Sequence, residues 1–169
     1  MARKAQEEIV GFVLIVVLLV IVGVIFLGIR LRNPEPTQRE SELIYMFLES
    51  TMEQTTDCKL SETGSFLVID SLIRECHSLN SECVSGEKTC EVARNTLGNM
   101  LNATWQVGSE YPFKGYELNI NYFLNSSGQL QLEDVLNISS GLCENSYSGS
   151  SYWIPEFPGS INTELRLCS

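Results

Sequence analysis

Residues 115–133 read GYELNINYFLNSSGQLQLE, and their alternation sets the fold class. Tyr116, Leu118, Ile120 and Tyr122 take turns with Glu117, Asn119 and Asn121, which puts apolar side chains on one face of a strand and polar ones on the other. Asn125, Ser126, Ser127 and Gly128 supply turn residues, and Leu130 and Leu132 alternate with Gln129, Gln131 and Glu133 on the return. The stretch predicts a β-hairpin.

Alternation resumes near the C-terminus. Ile161, Thr163, Leu165 and Leu167 face one way and Asn162, Glu164, Arg166 and Cys168 the other, so a strand is expected over 160–168. The residues between, 146–159, are rich in Gly, Ser and aromatics and are expected to form a loop.

Before Gly108 the period is helical. Thr37 and Glu40 have the spacing of a capping box. They open a helix expected from about Gln38 to Gln54, with Leu43, Ile44, Phe47, Leu48 and Met52 on its apolar face. A second helix is expected near Ser65 to Ser78, with Phe66, Ile69, Ile73 and Cys76 in one stripe, and a third from about Lys88 to Asn102, with Cys90, Ala93, Leu97 and Met100 or Leu101 in another. A helical layer followed by an antiparallel sheet of three or more strands makes an α+β body.

Ahead of that body, Met1 to Arg32 read MARKAQEEIVGFVLIVVLLVIVGVIFLGIRLR, with no charge between Ile9 and Ile29. Such a run, at about 1.5 Å per residue, is roughly as long as a bilayer's hydrocarbon is thick, and predicts a single transmembrane helix in contact with membrane lipid. It is too long for the core of a secretory signal. Asn33, Pro34, Glu35 and Pro36 interrupt it, because proline has no amide donor and restricts its predecessor.

The order Arg3, Lys4, Ala5, Gln6, Glu7, Glu8 followed by apolar residues resembles the class III signal of archaeal type IV pilins and archaellins. The resemblance covers about the first thirty residues. It implies that a prepilin-type peptidase cuts between Ala5 and Gln6, and that the apolar helix stays on the mature protein to pack against other pilin-like subunits. It also implies that Glu7 or Glu8 pairs with a neighbouring subunit's N-terminal amine. Bacterial relatives carry glutamate at the fifth mature position, where this chain has Val10, and many archaeal pilin heads are β-rich, unlike the helical first half here. The resulting partition is a leader over 1–5, a transmembrane or filament-core helix over 6–32, a linker over 33–37 and an extracytoplasmic head over 38–169.

Charge and cysteines bear on compartment. The 169 residues carry a net charge of −10, and the part after Arg32 holds seven basic and nineteen acidic side chains. That balance excludes nucleic acid as a partner, because phosphate binding needs a basic face. Basic residues flank the apolar run on both sides, so they do not orient it. Cys58, Cys76, Cys83, Cys90, Cys143 and Cys168 all follow the run, and an even set in a small body reads as a disulfide framework made outside the cytoplasm. Chain order and strand face suggest Cys143 with Cys168, leaving the other four to pair within the helical half. Three glycosylation sequons, at Asn102, Asn125 and Asn137, agree with an outside location.

Catalytic signals are weak. The cysteines lack the two-to-four-residue spacing of zinc pairs, and there is no phosphate loop or dinucleotide fingerprint. His77 is the single histidine; Asp70 or Asp134 with a serine would complete a triad on paper, but no GxSxG elbow is present. Glu133 and Asp134 are neighbours on a strand and point to opposite faces, which rules them out as a glycosidase pair. Tyr147, Tyr152, Trp153 and Phe157 are the residues marked for binding, since aromatics among Gly and Ser make adaptable contacts. The expectation is a structural subunit of an archaeal surface filament, without enzymatic activity or cofactor. The alternative is a single-pass membrane-anchored envelope protein whose extracytoplasmic head binds a ligand or a partner without polymerising.

Overall fold

A computed structural model describes residues 13–26, 36–126, 129–143 and 146–169. The chain divides into two compact units, Met1–Arg39 and Glu40–Ser169. In the first, residues 13–26 form helix α1. This corrects the expected membrane-spanning helix. No helix among the described residues is long and apolar enough to cross a membrane. Ala5, Gln6, Glu7 and Glu8 lie outside the described residues.

The second unit is α+β. Helices α2 (Pro36–Met52, in this unit from Glu40 on), α3 (Ile69–Ser78) and α4 (Thr89–Thr104) precede strands β1 (Gly115–Ser126), β2 (Gln129–Gly141), β3 (Tyr147–Glu156) and β4 (Gly159–Cys168). The strands form one sheet in the order β2-β1-β4-β3, with every neighbouring pair antiparallel. Its two central strands supply the floor of the core. Tyr116, Leu118, Ile120 and Tyr122 of β1 lie opposite Leu167, Leu165, Thr163 and Ile161 of β4, and all eight are buried. Ile44, Leu48 and Met52 of α2, Leu72 and Ile73 of α3, and Val92, Ala93, Leu97 and Leu101 of α4 belong to the same cluster.

Three disulfides staple this arrangement. Cys76–Cys90 joins α3 to α4 with Cα atoms 4.7 Å apart. Cys58–Cys83 ties the segment after α2 to the α3–α4 connection, and Cys143–Cys168 ties the β2–β3 connection to the end of β4, the pairing expected from the strand face. Closing loops of these lengths stabilises by about 3–4 kcal/mol each in the chain-entropy account.

Several local expectations are corrected. Helix α3 starts at Ile69, because residues 54–58 and 67–69 pair instead: the Thr56 amide donates to the Leu67 carbonyl at 2.8 Å and the Leu67 amide to the Cys58 carbonyl at 2.8 Å. Phe66 is therefore not on a buried stripe; it is half exposed, with the Lys59 ammonium 4.1 Å from its ring centre. Leu43 is 64% exposed, and Phe47 turns instead to Trp105, with ring centres 4.6 Å apart. The segment expected as an aromatic loop is strand β3, paired along its length with β4.

A β-bulge alters the return strand. Ile120 pairs with Leu136 but Asn121 with Asp134, so Val135 is an extra residue. Because side chains alternate with period two, one inserted residue exchanges the faces beyond it. Leu136 is buried above the bulge, whereas Leu132 beyond it lies opposite Phe123 and is 59% exposed.

Burial makes two measurements diagnostic. Leu72→Ala, at a fully buried site, lowers unfolding free energy by about 2–5 kcal/mol in denaturant titration, while Leu43→Ala changes it by no more than about 0.5 kcal/mol. Tyr116 is 2% exposed and its hydroxyl donates to Asn102 Oδ1 at 2.9 Å; burial pushes its pKa upward. An unfolded tyrosine loses its proton near pH 10 while the folded one resists. Stability is thus intact below about pH 10 and falls as pH rises beyond it, and Tyr116→Phe flattens that fall in denaturation followed between pH 8 and pH 11.

Candidate functional site

The helices pack on one face of the sheet, and the other face is built from the polar half of each strand's alternation. Register aligns its side chains in rows across the strands. One row runs Asp134, Asn121, Asn162, Trp153, and the next toward the hairpin ends runs Leu132, Phe123, Ser160, Pro155. On the other side of the first row lie Asn137, Asn119, Glu164 and Ser151. Trp153 is 54% exposed and its ring centre is 5.4 Å from that of Phe123. Asn137 Nδ2 donates to Asn119 Oδ1 along the third row. The face therefore has an aromatic end and a field of amides.

Of the four aromatics marked for binding, the structure brings none of the others to Trp153. Tyr147 is on the same face but at the far end of β3, opposite Cys168 and beneath the Arg166 guanidinium. Tyr152 points inward, half-buried, with its ring centre 6.3 Å from that of Tyr45. Phe157 occupies the tight β3–β4 turn and is 96% exposed. Asn119, Asn121 and Asn162, which complete the face with Phe123, were legible as the polar side of their strands but carried no binding signal by themselves, and the outward placing of Phe123 was not read from the sequence.

Two devices hold the aromatic end in place. A Cβ at Gly159 would collide with the Phe123 carbonyl and the Tyr122 ring, so glycine lets β4 run close beside β1 there. Arg74 reaches from α3 to the end of β3. Its Nη1 donates to the Pro155 carbonyl and to Glu156 Oε2 at 3.0 Å, while its Nε holds Asp70 Oδ1 at 2.7 Å. Asp70 first, and Glu156 after it, push the Arg74 pKa above its ordinary value against the opposing effect of burial.

His77 lies on the helical side. Its ring stacks on Tyr122 with centres 4.2 Å apart, and Nε2 is 3.7 Å from Glu133 Oε2. Nδ1 is buried without a hydrogen-bond partner among the described residues. Tyr122 and Glu133, the two residues that His77 meets, also line a cleft of about 400 Å³ together with Leu124, Gln131 and Leu132. Neither acid considered for a triad is placed to orient this imidazole: Asp70 is engaged by Arg74, and Asp134 lies on the outer face opposite Asn121. All six cysteines are in disulfides, so no thiolate is free to ligate a metal.

The sequons differ in setting. Asn102 is on α4 with its Oδ1 engaged by Tyr116, and Asn137 is exposed on β2 with its amide donating to Asn119. Asn125 is on the last turnward part of β1, and its side chain lies outside the described residues.

Removing the Arg74 clamp frees the β3–β4 turn from α3. Arg74→Ala lowers stability by about 1 kcal/mol, modest because the side chain is partly solvated, and speeds amide exchange at Trp153 to Glu156 relative to β1, read by hydrogen-exchange mass spectrometry. Comparison with protein-family models, with curated proteins and with solved structures finds no match for this chain.

Proposed function

We propose that this chain is a structural subunit of a surface filament of the type IV pilin class, processed by a prepilin-type peptidase between Ala5 and Gln6 and assembled with other subunits through its N-terminal helix. One observation carries this reading. From Val13 to Ile25 the side chains of α1 are apolar apart from Gly23, and the large ones are 41–64% exposed. A helix apolar all round has no face to give to water and needs cover over its whole circumference. Copies of the same helix bundled together supply that cover, and each 100 Å² of apolar surface so buried contributes about 2.5 kcal/mol.

The second unit suits the outside of such a polymer. Its acidic surface keeps it in solution, and its disulfides fit an oxidising compartment. Its activity on this reading is assembly, with no turnover. Filaments prepared from the native source, examined by electron microscopy and intact-mass analysis, should contain a chain that begins at Gln6. A Val17→Glu substitution should abolish filaments while leaving the circular dichroism and melting of the second unit unchanged, because a charge in an apolar bundle is too costly to keep. Retention of Met1–Ala5 on a protein that forms no filaments overturns the proposal.

A further inference from the structure

The outer face of the sheet has the chemistry of a surface that holds neutral polyols. Its amides stand at fixed spacings, about 4.8 Å between strands and about 6.8 Å between rows. Asn121 and Asn119 are partly exposed on the central strand β1, while Asn162, between Asn121 and Trp153 in the same row, is buried and forms the floor beneath. Each amide offers donors and an acceptor, which matches a sugar hydroxyl that both donates and accepts. Beside them the exposed Trp153 ring, buttressed by Phe123, offers a flat apolar platform for the C–H face of a pyranose.

Charge narrows the ligand. Asp134, Glu117 and Glu164 all belong to this face. Among the described residues the cation on it is Arg166, whose Nε and Nη2 both go to Glu164, at 2.8 and 3.0 Å. An anionic polymer would meet uncompensated carboxylates. A purely apolar partner would strand the amides without hydrogen bonds, at a cost that outweighs two aromatic contacts. A second copy of this face brings the same negative charge and is repelled.

We propose that the outer sheet face binds a neutral carbohydrate chain, one sugar ring stacked on Trp153 and the following hydroxyls held by Asn121 in the same row and Asn119 in the adjoining one. This assignment does not rest on filament formation, since the face is complete within one chain.

The test uses the full-length chain, purified in a detergent without a sugar headgroup from a host that adds no N-linked glycans, because Asn137 stands at the rim of the face. With Trp105→Phe, Trp153 becomes the sole tryptophan reporter. Titration with cellohexaose, mannohexaose and chitohexaose should give a saturable fluorescence change with at least one of them, and calorimetry on the unaltered chain should rank the three alike. In the calorimetric assay Trp153→Ala weakens binding at least tenfold, and Asn121→Ala about fivefold, with melting temperatures unchanged. Absence of binding to all three sugars overturns the proposal, as does binding that survives Trp153→Ala. Sedimentation showing self-association that Trp153→Ala abolishes, without any response to sugar, assigns the face to a second copy and overturns it equally.

Discussion

The pairing of β1 with β4 is the contact on which the second unit depends. These strands are distant in sequence, yet their inward side chains interleave into one apolar floor, and α2, α3 and α4 all rest on it. Each strand also has an outer neighbour, β2 beside β1 and β3 beside β4, attached through a hairpin. Loss of the central ladder would leave two separate hairpins, and a lone two-stranded hairpin is marginal in water. The disulfides act around this ladder. Two hold the helical layer together, and Cys143–Cys168 fastens the chain where it crosses from one edge of the sheet to the other.

A sheet covered on one side by helices leaves its second side to solvent, and what lines that side is then free to serve binding. Here the bulge at Val135 matters. By exchanging faces along the end of β2 it sends Leu132 outward beside Phe123, which adds apolar surface to the Trp153 end, and turns Glu133 inward toward His77. One inserted residue thus contributes to both the outer patch and the contact between Glu133 and His77. Arg74 is a second link between the two sides, since it lies on α3 yet grips the end of β3 next to Trp153.

On the proposed reading, assembly and recognition place different demands on the chain, and its two units answer them separately. The helix over 13–26 offers apolar surface with no polar side to orient it, which suits bundling with its own kind. The body offers a patterned, acidic, partly aromatic face, which suits selective contact with something neutral and hydroxylated. Disulfide staples brace such a body and the face it presents.

Local periodicity, by itself, determined the alternating faces of β1 and β4, the helical stripes of α2 and α4, and the disulfide-bonded nature of the body, because these rest on neighbours two, three or four residues away. The membrane-spanning helix expected from the apolar run is the reading that is corrected, since no helix among the described residues is long and apolar enough to cross a membrane. Only the tertiary structure made a strand of 147–156, whose Gly, Ser and Pro carry no alternation and whose extended shape comes from hydrogen bonds to β4. It also decided that Cys58 meets Cys83, that Leu43 and Phe66 stay in solvent, and that Trp153 joins Asn162, Asn121 and Asp134 in one row. Each of those outcomes depends on partners far along the chain, and sequence spacing carries no record of which distant segments lie side by side.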